Sequence, residues 1–150
     1  MRNFVVILLL VLGFFGYRFF FSDDLPKENL CGKTFVGEYI EKNTSNPAKM
    51  RSITKRNMLD CRAAASDISL YDGLGSKEDR CGYVMYNLVF TTEMYAHSLN
   101  MVGKKQAAGD EIDKSLGFLK KMTCTPNEKV KRGLLDPSLE LLQRLHPDYR

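Results

Sequence analysis

The chain contains no tryptophan, only two histidines and only four cysteines among its 150 residues. No two cysteines form a CxxC pair, which excludes zinc ribbons, thioredoxin-like sites and c-type haem attachment on spacing. The GxSxG, HExxH, P-loop and GxGxxG signatures are also missing. The sequence therefore offers no recognisable catalytic, metal or nucleotide motif, and we predict no catalytic residue, no metal ligand and no cofactor.

The net charge is also small. The formal charge is +4, and the removal of Arg2 and Arg18 with the N-terminal segment leaves +2 for residues 22–150. That excess is too small to predict nucleic-acid binding. A hydrophobic share of 44% and a charged share of 27% are ordinary for one globular domain.

Residues 4–21 form the most apolar run of the chain. The run is uninterrupted from Phe4 to Tyr17, is broken by Arg18 and then continues through three phenylalanines. A helix over residues 4–21 would be about 27 Å long, close to the ~30 Å thickness of a bilayer core. The sequence therefore predicts a membrane anchor or signal segment at residues 1–21.

The junction after this segment disfavours cleavage. Signal peptidase requires small residues at the third and first positions before the cut. The two candidate sites end at the small residues Ser22 and Gly16. Phenylalanine occupies the third position before the cut in both, as Phe20 and Phe14 respectively. We therefore expect a single-pass inner-membrane anchor, with a cleaved signal peptide as the alternative. Arg2 favours a cytosolic N-terminus, which places a linker at 22–32 and a domain at 33–150 in the periplasm or an equivalent extracytoplasmic space.

Four cysteines follow this segment, and an even number behind an export signal predicts two disulfides. Cys81 opens one predicted helix and Cys124 closes the next, so an antiparallel hairpin would bring them together. Cys31 and Cys61 would meet across another hairpin. We expect the pairs Cys31–Cys61 and Cys81–Cys124, with Cys61–Cys81 and Cys31–Cys124 as the alternative.

The rest of the chain shows helical periodicity and no convincing strand alternation. A short helix is predicted around Phe35 to Ile40, and Asn46-Pro47 predicts the start of a second helix that reaches about Ser69. A capping-box pattern from Ser76 to Asp79 opens a third helix, which Gly103 ends. This third helix is apolar almost all round, which is typical of the central helix of a bundle.

A fourth helix is predicted to end near Cys124. Thr125-Pro126 resembles a cap followed by a first helical proline, and Asp136-Pro137 resembles another start. The predicted fold class is therefore all-α, a small bundle of about five to six helices stapled by two disulfides.

Two surfaces are candidates for binding a partner. On the second helix, Arg51, Lys55 and Arg62 share a stripe that we expect to contact an acidic protein or anionic headgroups, unless it is only a solvated face. On the third helix, Tyr83, Tyr86 and Phe90 exceed what one packing seam needs, so they form either a central core or a partner-binding groove.

Other polar groups have simpler interpretations. His97 follows Glu93 by four residues on one helix face, but a single pair lacks the further ligands of a metal site. The acidic cluster Asp110, Glu111 and Asp113 is expected at the start of the fourth helix, where negative charge is favourable.

The sequence thus predicts a non-enzymatic, membrane-associated helical protein that binds a partner protein outside the cytosol, as an adaptor, assembly factor, inhibitor or immunity protein would. The alternatives are a small exported enzyme that uses His97 with nearby acids, and a carrier of an apolar ligand.

Overall fold

The computed structural model describes residues 27–149 of the chain. The predicted anchor at residues 1–21 lies outside the described residues. The described chain is helical, and its helices are α1 Phe35–Lys42, α2 Pro47–Ser66, α3 Lys77–Asn100, α4 Lys105–Lys121, α5 Glu128–Val130 and α6 Asp136–Leu145. A π-helical turn, Lys131–Leu135, joins α5 to α6, and 3-10 turns Ile68–Leu70 and His146–Tyr149 follow α2 and α6. The all-α prediction is confirmed.

Capping side chains set the starts of the two longest helices. The Asn46 side chain accepts a hydrogen bond from the backbone N–H of Lys49 at 3.1 Å, and Pro47 follows as the first helical residue. Ser76 and Asp79 form the predicted reciprocal capping box, with bonds of 3.0 and 3.1 Å. Each bond satisfies a backbone group that the first helical turn would leave unpaired.

The predicted restart at Pro126 is wrong. The next helix begins at Glu128, and its cap is Asn127, whose side chain accepts from the N–H of Lys129 at 2.8 Å. The backbone N–H of Asn127 donates to the carbonyl of Glu78 at 3.0 Å, which ties this residue to the first turn of α3. A tertiary contact, rather than the local Thr-Pro pattern, therefore fixes the helix start.

The predicted helix start at Asp136 is confirmed, although no loop precedes it. Asp136 has helical dihedrals of −60° and −45°, and its N–H donates to the carbonyl of Lys131, the spacing of a π-helical turn. Pro137 has no N–H to donate, and a wider turn relieves the clash that its ring causes in a regular helix. The chain consequently continues from α5 into α6 without a loop.

The central position predicted for α3 is confirmed. This helix packs against α2 and α4 along most of its length and against the π-helical turn and α6 on a further side. Its buried apolar and small side chains join the two larger core clusters, in the order Val84, Leu88, Val89, Tyr95, Ala96 and Leu99. A smaller cluster of Leu30, Val36 and Ile53 holds α1 on α2.

The favoured disulfide pairing is confirmed. Cys31 is bonded to Cys61 with a Cα–Cα distance of 4.7 Å, and Cys81 to Cys124 with 6.0 Å. The first bond ties the segment before α1 to α2, and the second ties the start of α3 to the segment after α4. Among residues 27–149, no helix has both the length and the apolar composition needed to cross a bilayer.

Candidate functional site

Arg62 does not belong to the exposed stripe in which the sequence analysis placed it. Only 7% of the residue is accessible, and its Nη1 lies 2.7 Å from Glu111 Oε2 on α4. Its Nε and Nη2 donate to Ser115 Oγ at 3.1 and 2.9 Å, and Nη2 also donates to the carbonyl of Glu111 at 2.8 Å. Glu111 thus compensates the charge of Arg62 inside the bundle, and the prediction that Arg62 shares an exposed stripe with Arg51 and Lys55 is wrong.

This buried network reaches the central helix as well. Ser115 Oγ accepts from Thr92 Oγ1 at 2.7 Å, and the guanidinium of Arg62 lies 5.9 Å from the ring centroid of Phe118. Burial alone would raise the pKa of Glu111, but hydrogen bonds and charges from Lys114 and Arg62 outweigh it and lower that pKa. The network therefore joins α2 to α4 through an ionised carboxylate, and α3 to both through the hydroxyl of Ser115.

The acidic cluster on α4 is not at the start of its helix. The helix begins at Lys105, and its first turn contains no acid. Glu111 instead pairs with Arg62 and Lys114, and Asp113 Oδ1 lies 3.1 Å from His146 Nε2. The helix-dipole explanation of this cluster is wrong because tertiary and side-chain partners hold two of its three members.

The other two residues of the predicted stripe remain at the surface, where the fold places a third cation beside them. Arg51 and Lys55 line a pocket of about 320 Å³ together with Lys104, from the turn between α3 and α4. Tyr95 and Leu99 of α3 form its inner wall. We call this site the basic pocket. Its third cation is 49 residues from Lys55 in the sequence, a juxtaposition that no local pattern signals.

The three aromatic candidates on α3 lie at two different sites on the surface. Tyr86 and Phe90 stack with their ring centroids 6.0 Å apart. Tyr83 lines a different groove of about 540 Å³, with the exposed Leu74 and Leu134. The structure therefore does not bring Tyr83, Tyr86 and Phe90 into one binding surface.

Phe90 belongs to a long depression beside α3. Two adjoining cavities of about 420 and 100 Å³ share Thr54 and Met94. Their apolar side chains come from α1, α2, α3 and the turn that follows α3. They are Val36, Ile40, Met50, Phe90, Met94, Met101 and Val102. We call this site the α3 groove. Phe90, Met101 and Val102 expose 44%, 70% and 41% of their surfaces.

His97 lines the narrow end of the α3 groove, and the lining of that end contains no carboxylate. Glu93 is partly buried; burial raises the pKa of this carboxyl, and the charge of His97 opposes the shift. Within the described chain no three His, Cys, Asp or Glu side chains form a group able to hold a metal ion.

Comparison with known proteins gives no assignment. No family model, no curated protein and no solved structure shows significant similarity to this chain. The site must therefore be interpreted from its own chemistry.

Proposed function

We propose that this chain is a membrane-anchored extracytoplasmic protein that binds another protein through the α3 groove. It acts by occupancy, as a rigid surface that assembles, blocks or tethers its partner, and not by catalysis. The apolar run at residues 4–21 would hold the domain at the inner membrane. The two disulfides support an oxidising compartment, because such bonds persist outside the reducing cytosol.

The exposure of Phe90, Met101 and Val102 around a depression carries this proposal. A cluster of apolar side chains that remains in water loses the free energy of about 25 cal/mol per Å² that burial would provide. Adjacent exposed apolar residues around a groove are typical of interaction sites, whereas single ones are not. The groove is also rich in methionine, a flexible side chain that adapts to a partner surface.

The shape of the groove favours an amphipathic helix as the occupant. Its α3 side extends from Asn87 to Met101, which corresponds to about 21 Å at 1.5 Å per residue. That length matches four turns of a helix whose apolar residues recur at three- and four-residue spacing. A carrier of a small apolar ligand would need an enclosed cavity, and a groove bordered by exposed side chains gives that alternative less support.

Site-specific photocrosslinking in native membranes tests the proposal. A photoreactive residue at position 90 or 101 should capture one protein partner. Matched controls are Leu59 and Leu141, which are 46% and 43% exposed. Leu59 lies nine positions after Met50, which places it on the opposite side of α2 from the groove.

A double variant provides the second arm. Phe90→Ser with Met101→Ser should abolish co-purification of the partner at an unchanged melting temperature, whereas Leu59→Ser with Leu141→Ser should retain it. Equal capture from groove and control positions would contradict the proposal. Adducts of twice the chain mass alone would instead identify a second copy as the occupant.

A further inference from the structure

The basic pocket lies on the other side of the α2–α3 contact from the narrow end of the α3 groove. Arg51, Lys55 and Lys104 line it, and none of the three forms an ion pair within residues 27–149. The pocket therefore concentrates uncompensated positive charge.

This concentration is unfavourable in the absence of a ligand. Arg51 and Lys55 are four residues apart on α2, where like charges repel. Lys104 precedes α4 without a side-chain capping bond, and Lys105 is the first residue of that helix. Cations at a helix N-terminus oppose the helix dipole. A bound anion would offset all of these repulsions at once.

Tyr95 supplies an independent observation that points to a ligand. It lines the pocket, although the residue is only 8% accessible. Its hydroxyl forms no hydrogen bond with any described residue and is not sealed from solvent. Such a hydroxyl is free to donate a hydrogen bond to a ligand in the pocket. Burial raises the pKa of Tyr95, and the charge of Glu111 adds to this shift, against the opposing charges of Arg51, Lys114 and Arg62. The hydroxyl therefore retains its proton and can donate a hydrogen bond.

We propose that the basic pocket binds a phosphate group. Three cations and one neutral hydroxyl donor surround it, and a phosphate carries a charge of about −1.5 to −2 with three strong acceptor oxygens. A carboxylate has a single negative charge and two oxygens, and would leave more of this charge uncompensated. Glu111, the acid whose charge acts on Tyr95, is already held by Arg62 and Lys114. The phosphate belongs either to a small soluble compound or to a lipid headgroup.

Lysine footprinting of the full-length chain tests the site. An amine-reactive reagent and mass spectrometry would measure the labelling rates of Lys55 and Lys104, with the exposed Lys120 and Lys121 at the other end of α4 as internal controls. Two probes distinguish the sources: inorganic phosphate with the protein in detergent, and nanodiscs of phosphatidylcholine with or without phosphatidic acid. The expected result is labelling of Lys55 and Lys104 slowed about tenfold, with the controls unchanged.

Protection by inorganic phosphate identifies a soluble ligand, and protection only in phosphatidic acid nanodiscs identifies a headgroup; either supports the proposal. Protection in neither arm overturns it, as does equal protection by acetate at the same ionic strength or protection only by an acidic peptide. Tyr95→Phe should weaken binding about tenfold, because a hydrogen bond to a charged group is lost. Lys120→Gln with Lys121→Gln, which removes two charges at the other end of α4, should leave binding unchanged. Unaltered binding in Tyr95→Phe would overturn the proposed site, because its one hydroxyl donor would then not contact the phosphate.

Discussion

The ion pair between Arg62 and Glu111 allows a sharp test of how the bundle is held together. The two side chains are 8% and 19% exposed, and their closest atoms are 2.7 Å apart. Glu111→Gln removes the negative charge and retains nearly the same shape. The guanidinium of Arg62 then remains buried with only neutral acceptors around it.

The magnitude follows from burial. Removal of one partner of a buried pair costs about 3–5 kcal/mol, because the other charge stays uncompensated. Glu111 is not fully buried and a glutamine oxygen still accepts a hydrogen bond, so we expect a loss of about 2–3 kcal/mol. For a domain of this size that corresponds to a decrease in melting temperature of about 10 °C.

Urea denaturation followed by circular dichroism measures the effect. The control is Glu140→Gln, which breaks an exposed ion pair with Arg144 at 3.0 Å, and should cost at most about 0.5 kcal/mol. Arg62→Met combined with Glu111→Gln should recover at least half of the single-variant loss, since no buried charge remains. Ser115 keeps its bond from Thr92 in that variant.

A loss below about 0.5 kcal/mol for Glu111→Gln would refute this reasoning, because such a value is typical of an exposed ion pair. A double variant less stable than Glu111→Gln alone would refute it as well. Either result would mean that Arg62 is solvated well enough to do without its carboxylate.

Three further predictions follow from the described contacts. The pKa of Glu111 is lowered from its ordinary value of 4.5. The contribution of this carboxylate to the free energy of unfolding is therefore complete above that pH and is lost on acidification. Between about pH 5 and pH 3, urea titrations should show a larger loss of stability for the wild type than for Glu111→Gln. An added Cβ at Gly82 would lie 2.9 Å from Val130 Cγ1, whereas nothing lies within 4 Å of an added Cβ at Gly117. In thermal melts, Gly82→Ala should therefore destabilise the domain by about 1 kcal/mol. Gly117→Ala should stabilise it by up to about 1 kcal/mol. Replacement of Cys81 and Cys124 by alanine, which opens a loop with a separation of 43 residues, should cost about 4 kcal/mol, and an unchanged denaturation midpoint would contradict the role of that bond.

Local chemistry in the sequence was sufficient for the helical architecture and for the disulfides. Asn46 and Ser76 mark helix starts because their side chains satisfy neighbouring backbone N–H groups, an interaction between residues only three positions apart. The disulfide pairing followed from helix lengths, since two cysteines at equal distance from a turn meet at the same end of a hairpin. The all-round apolar character of the chain at 77–102 likewise predicted the central position of α3.

Only the tertiary structure decided where the charges act. Arg51 and Lys55 remain at the surface, while Arg62, in the same stripe, enters the bundle because Glu111 and Ser115 lie opposite it on α4. Periodicity along one helix cannot reveal such a partner. The same reason explains Lys104, which reaches the basic pocket from a distant turn, and Asn127, whose bond to Glu78 moves a helix start by two residues. Local hydrogen bonds and apolar periodicity are encoded in adjacent residues, whereas the pairing of buried charge depends on which helix faces which, and that is fixed only when the bundle packs.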